Sequence, residues 1–167
     1  NRAMYSYDGI TWTTTSTVAN AWASVTYGNQ MFVAVASSGT NRAMYSYDGI
    51  TWTTTSTVDN AWNGVTYGNN MFVAVANGGD GNRVMYSYDG ITWTTTSTVL
   101  NQWFSVTYGN NMFVAVHGDT SPGLMYAYDF SKINTISIGN NAKAEYQNSI
   151  AIGYNAEATD RNQIMLG

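Results

Sequence analysis

The segment MFVAVA at residues 31–36 is apolar at every position, so Met31, Val33 and Val35 on one side of a strand oppose Phe32, Ala34 and Ala36 on the other. A half-exposed strand would alternate apolar with polar residues, so this one predicts a strand covered on both faces. Around it lie AMYSY, ITWTTT and WASVTY, three further runs rich in aromatic and β-branched residues. Asp8-Gly9 and Gly28-Asn29 separate the runs, and both dipeptides favour tight turns, so YSY-DG-ITW and VTY-GN-QMF are each predicted as antiparallel hairpins. Two hairpins make a four-stranded meander. Stacking such sheets on copies of themselves would cover both faces of MFVAVA and leave the Thr-rich run as the outer strand. The fold class expected is therefore all-β.

Self-comparison gives a period of about 40 residues. Residues 41–80 repeat residues 1–40 with changes only at Asp59, Asn63, Gly64, Asn70, Asn77, Gly78 and Asp80. After the inserted Gly81 a third copy runs from Asn82 through Val116, and LMYAYD at 124–129 echoes the start of a fourth. The expected organisation is repeats over 1–129 (1–40, 41–81, 82–123 and a partial 124–129), a linker at 130–133, and a different tail over 134–167. Because the chain opens inside a repeat, on a second hairpin, each sheet is expected to straddle two sequence repeats, and upstream sequence is expected. SYDGITW at 6–12, 46–52 and 87–93 resembles the Asp-box, Ser-x-Asp-x-Gly-x-Thr-Trp, of sialidase-type β-propellers, with one residue fewer between Asp and Gly. The resemblance implies propeller blades of about 40 residues. It assigns structural turn roles to Ser6, Asp8, Gly9 and Trp12, to Ser46, Asp48, Gly49 and Trp52, and to Ser87, Asp89, Gly90 and Trp93. The Asp accepts turn amides, the Gly is left-handed, and the Trp fills the gap between neighbouring sheets.

The tail repeats every 14 residues, as NTISIGNNAKA, NSIAIGYNAEA and NQIMLG. Ile136, Ile150 and Ile164 align, as do Ile138, Ile152 and Leu166, and the spacing of two puts both columns on one face of stacked short strands. A parallel β-roll is predicted. NSIAIGxxAxA resembles the head repeats of trimeric autotransporter adhesins of the YadA kind, a pattern shared with tail-fibre-like proteins of phages and giant viruses. The resemblance implies a homotrimer with those six residues at its core. Fewer than three coils bury too little surface to stand alone, which agrees with it.

Charged residues make up 10% of the 167, the formal charge is -4, and the six Lys and Arg are scattered, which argues against nucleic acid as a partner. There is no cysteine, hence no disulfide or thiolate site, and no apolar run approaches the roughly 20 residues needed for a membrane span. Glycosidase chemistry normally needs paired carboxylates, yet the 40-residue repeats contain no Glu. Arg2, Arg42 and Arg83 are equivalent by repeat and so are expected to be spread out rather than clustered. His117 is the single histidine, and the Asp80 and Asp119 loops match no calcium-loop pattern, so no catalytic residue, metal or cofactor is expected. Lys143, Glu145, Glu157, Asp160 and Arg161 are expected to be solvated.

These readings point to a non-enzymatic structural or adhesive component of an extracellular, cell-surface or virion fibre, trimerised through the roll. A lectin-like alternative rests on Trp22, Trp62 and Trp103 with Tyr27, Tyr67 and Tyr108, aromatic residues recurring beside Asn-rich loops as a candidate glycan platform, although a tryptophan at a fixed repeat position more often packs between sheets. The loops SSGTN, NGGDGN and HGDTSPG are the more variable recognition candidates. A third reading is a self-assembling filament, since near-identical repeats can exchange hairpins and unpaired strands invite head-to-tail assembly.

Overall fold

The computed structural model describes residues 2–79, 81–118, 124–128, 136–144, 150–159 and 163–166, and among these every regular element is a strand. The expected linker at 130–133 and Asp80, Asp119, Glu145, Asp160 and Arg161 lie outside the described residues. The chain forms two compact units, residues 1–127 and 128–167.

In the first unit, β1 (Ala3–Tyr5) and β2 (Thr13–Thr15) pair, among the described residues, only with each other. Sheet 1 follows in meander order from β3 (Trp22–Gly28), β4 (Met31–Ala36), β5 (Ala43–Ser46) and β6 (Thr53–Thr55). Sheet 2 repeats it with β7 (Ala61–Gly68), β8 (Met71–Gly78), β9 (Val84–Ser87) and β10 (Thr94–Thr96). Sheet 3 has β11 (Trp103–Gly109), β12 (Met112–His117) and β13 (Leu124–Tyr128). The tandem four-stranded antiparallel sheets are thus as expected, each straddling a sequence-repeat boundary.

Two details of the hairpins differ from expectation. In the first-to-second-strand hairpin the tight turn is centred one residue later than Gly-Asn: Gly28 pairs with Met31, and Asn29 and Gln30 carry positive φ of 47° and 61°. Asn69-Asn70 and Asn110-Asn111 do the same. Positive φ at both central residues defines the hairpin turn whose twist matches the strands, and asparagine tolerates it. Between β5 and β6, by contrast, residues 47–52 form a longer connection and only the Thr triplet of ITWTTT is strand. The cause is the aspartate: Asp48 Oδ1 accepts the amides of Ile50 and Thr51, which are therefore withdrawn from the ladder.

The two-faced strand is covered as its pattern requires. Between sheets 1 and 2, Met31, Val33 and Val35 pack with Trp62, Phe72, Ala74 and Ala76. The other face of β8, Val73 and Val75, packs with Trp103, Val106, Phe113 and Ala115 of sheet 3. Each sheet therefore offers a Val face to the Phe/Ala face of the next, so large residues meet small ones and the contact has a direction. Near the innermost strands the fit is closest, because the Tyr67 ring lies over Gly28 and the Tyr108 ring over Gly68, where a Cβ would overlap the ring.

The second unit holds two parallel ladders. β14 (Ile136–Ile138), β16 (Ile150–Ile152) and β18 (Ile164–Leu166) stack with Ile136, Ile150 and Ile164 in register. β15 (Lys143–Ala144) pairs with β17 (Glu157–Ala158). The 14-residue period is the rise of one coil.

Gly68→Ala is expected to destabilise the first unit by about 1–3 kcal/mol, the usual cost of forcing a methyl into a packed contact. Urea denaturation checks this, and an unchanged midpoint would contradict the stacked-ring contact.

Candidate functional site

Three sets of residues carry the functional expectations: the Ser-x-Asp-Gly turns, the recurring aromatics and the isoleucine columns of the tail.

In the first turn the Ser6 hydroxyl donates to Asp8 Oδ1 at 2.9 Å and accepts the amides of Gly9 at 2.9 Å and Asp8 at 3.3 Å. Asp8 Oδ1 also accepts the amides of Ile10 at 2.8 Å and Thr11 at 2.7 Å. The Ser46/Asp48 and Ser87/Asp89 turns repeat this arrangement, and Gly9, Gly49 and Gly90 all sit at φ of 74–75°, where a Cβ would be strained. The amides of Thr11 and Ile10 and then the Ser6 hydroxyl hold the Asp8 carboxyl well below the usual carboxylate range, and the equivalent groups do so for Asp48. At Asp89 partial burial pushes the carboxyl up, but the amides of Thr92 and Ile91 and the Ser87 hydroxyl outweigh it and bring it to about 2. A carboxylate whose Oδ1 accepts a hydroxyl and two amides of its own turn is suited to holding a loop.

The turn tryptophans follow the stack. Trp93 packs against the core between sheets 1 and 2, filling the gap as expected. The Trp52 ring sits 6.5 Å from that of Phe32, and Trp12, with no complete sheet beside it, is 53% exposed.

Of the candidate glycan residues, Trp62 and Trp103 are buried between sheets, with their indole N–H groups donating to the carbonyls of Val58 and Val99. Their ring faces offer no carbohydrate platform, because the preceding sheet covers them. Trp22 donates likewise to Val18, but it is only half-buried. Tyr67 and Tyr108 are half-buried on the glycines of the preceding sheet, while Tyr27 is 58% exposed. Arg2 and Arg83 donate to the carbonyls of Asn20 and Asn101, and Arg42 donates to Gly39, so the three cations serve separate loops. His117 stacks edge-on against Trp103.

Two groups escape the sequence reading. Asn20 and Asn60 are buried, and Asn20 ties its strand to the following loop by donating to the Thr40 and Asn41 carbonyls and accepting the Thr40 amide. The loop SSGTN is therefore anchored at its far end; most of HGDTSPG lies outside the described residues. Tyr7, Tyr47 and Tyr88 are 92%, 67% and 64% exposed, each edge-on to Tyr5, Tyr45 or Tyr86. Their signal was the second Tyr of YSYDG, which sits beside a turn that water surrounds.

In the second unit the alternation of each strand turns alanines inward. Ala151, Ala156 and Ala158 are buried, with Ala142 and Met165 against them. The candidate trimer residues point the other way: Ile138 is 56% exposed, Ile152 38%, Ile164 64% and Leu166 74%, while Ile150 is half-buried. The side chain of Ile136 lies outside the described residues. One coil stack thus carries a thin alanine interior and an apolar outer ladder. Asn141 donates to Asn155 at 3.1 Å, extending the 14-residue register into the turns.

Residues 131–156 and 147–162 match the YadA head domain repeat in two copies. No curated protein matches the chain. Among solved structures, the computationally designed Ika8 protein is similar with a TM-score of 0.49 and 15% identity over 64% of this chain and 33% of that one. The designed Ika4 protein gives 0.37 and 10% over 69% and 95%. The matched part spans only that third of Ika8, and likeness at this level bears on neither function nor assembly.

Stability is expected to fall with acid in a defined window. A carboxyl held at about 2 contributes fully above its unfolded value near 4 and loses its contribution as pH drops through the folded value. Thermal melts should therefore be level from pH 7 to about 4 and decline from there to about 2, with a shallower decline for Asp89→Asn. A melt that is flat to pH 2 would contradict the turn's role.

Proposed function

We propose that this chain is a non-enzymatic structural or adhesive component of an extracellular or virion surface fibre, in which the tail trimerises the chain and the stacked sheets, as propeller-like blades, form its head or spacer. The exposed ladder of Ile138, Ile152, Ile164 and Leu166, on a segment matching the YadA head domain repeat, carries this reading. An apolar column outside an alanine interior needs a partner, and a parallel copy offers the same column in the same register. Support for a non-enzymatic role comes from the turn aspartates, each of which has its Oδ1 committed to its own turn's backbone. Ile152→Asp should convert trimer to monomer by sedimentation equilibrium while the first unit's melt stays unchanged. A wild-type chain that sediments as a monomer would overturn the trimer.

A lectin-like reading is favoured by one observation, the exposed Tyr7, Tyr47 and Tyr88 repeated from sheet to sheet. Identical weak sites at a fixed spacing would gain by avidity. Under this reading a broad glycan array shows binding that the triple change of these tyrosines to Ala reduces at least tenfold. An array without binding would remove it.

A further inference from the structure

The differences between near-identical copies fall at one place. Among the described residues that change between 1–40 and 41–80, Asp59, Asn63, Gly64, Asn77 and Gly78 lie at the end of sheet 2 where β7 begins and β8 finishes, joined there by the pairing of Ala61 with Gly78, while Asn70 alone sits in the opposite turn. The third copy changes at the same end, at Leu100, Gln102 and Phe104. Exposure does not select these positions, because Tyr7, Tyr47 and Tyr88, and Val18, Val58 and Val99, are as exposed and are identical in every copy.

The changing positions alternate with fixed ones. Residues 19–23, 59–63 and 100–104 read Ala-Asn-Ala-Trp-Ala, Asp-Asn-Ala-Trp-Asn and Leu-Asn-Gln-Trp-Phe. The fixed Asn60 and Trp62 are buried, which turns their neighbours outward. In each sheet the last of the five is the extra residue of a β-bulge, since the pairing skips from Trp22 to Ser24, from Trp62 to Gly64 and from Trp103 to Ser105. A bulge takes its extra residue out of the ladder and re-aims the side chain. Ala23 is exposed although sheet 2 follows it, so the outward direction belongs to the strand rather than to an end of the stack.

Sheet 1 thus presents alanine alone, sheet 2 polar groups and sheet 3 an aromatic ring. The bulges of sheets 2 and 3 adjoin, because a Cβ on Gly64 would come within 3.0 Å of Ser105 Cα and 3.1 Å of the Phe104 carbonyl oxygen. The Phe104 ring, on a residue 43% exposed, rests on Gly118, which stands where the other copies have Ser37 and Asn77, so the larger bulge residue goes with the smaller neighbour. Asn63 Nδ2 donates to the Ala61 carbonyl at 2.8 Å, which fixes the amide and leaves Oδ1 to accept. Asp59 is 77% exposed, with Oδ1 at 3.7 Å from Arg42 Nε.

We propose that this face, centred on Asn63 and Phe104 with Asp59 beside them, binds a neutral saccharide. Carboxylate and amide oxygens accept the hydroxyls of a pyranose, and a phenyl ring packs on its C–H face. A neutral sugar suits the face better than an acidic one, because Arg42 is already held by Asp59 and by the Gly39 carbonyl. Planar polar groups flanking one ring also match a sugar better than a peptide, which needs a broader apolar contact. The site lies at the opposite end of the sheets from Tyr47, which follows Ser46 where that residue pairs with Phe32, so it is independent of the tyrosine row and of trimerisation through the tail.

Sheet 1 supplies the control for folding, since Asp59→Ala, Asn63→Ala and Phe104→Ala introduce only the residue type that Ala19 and Ala23 already carry in the same sheet geometry. On a glycan array the full-length chain is expected to bind neutral hexose or N-acetylhexosamine oligosaccharides. Asn63→Ala or Phe104→Ala should cut that binding at least tenfold with the thermal melt unchanged, and replacing Tyr7, Tyr47 and Tyr88 by Ala should leave it intact. Binding indifferent to Asn63→Ala and Phe104→Ala would overturn the site, and its loss with the tyrosines alone would place the glycan at their row instead. An array without binding would overturn it as well, whether or not the chain binds a peptide array run beside it.

Discussion

A strand that is apolar on both sides cannot end at water, and MFVAVA imposes that condition on the whole first unit. Once β8 has Phe72, Ala74 and Ala76 on one face and Val73 and Val75 on the other, a sheet must lie on each side of it. Because every sheet carries the same two faces, the Val face of one fits the Phe/Ala face of the next, and Tyr67 and Tyr108 lock onto Gly28 and Gly68 in the same sense. The stack therefore has a direction. The turns, the capping asparagines and the arginine contacts all serve to hold the loops at the fixed spacing that this packing sets.

Much of this was legible in the residues. Period, strand number, the straddling of repeat boundaries and the two-faced strand follow from hydrophobic pattern and self-similarity, which near-identical copies make unusually clear. Turn geometry was less so. Asp8-Gly9 reads as a two-residue hairpin by local preference, but the side chains of Ser6 and Asp8 compete for the backbone amides and draw Ile10 and Thr11 out of the strand. The aromatic candidates were sorted by burial, which depends on neighbours distant in sequence: Trp62 and Trp103 went to the core, and Tyr7, Tyr47 and Tyr88 to the surface. In the tail the two apolar columns were evident, but only the structure shows that alanines fill the interior and leave Ile138, Ile152, Ile164 and Leu166 exposed.

Both units share one physical character although they differ in strand direction and period. Each leaves apolar residues exposed, Val25 and Tyr27 in the first unit and Ile138, Ile152, Ile164 and Leu166 in the second. In the first unit the two faces of each sheet are unlike and successive sheets stack in one sense; in the second the like columns of a parallel roll suit rotational symmetry. Such a design suits a role in which shape, repetition and surface presentation matter more than a single reactive centre. The low charge and the Thr-, Asn- and Tyr-rich exterior agree with that role.

The central claim, that the apolar columns of the tail join copies of the chain, is tested most directly by a cryo-electron microscopy reconstruction of the purified protein in solution. The account predicts a trimer with the columns of Ile138, Ile152 and Leu166 gathered at a three-fold axis. A discrete monomer with those columns facing water would contradict it.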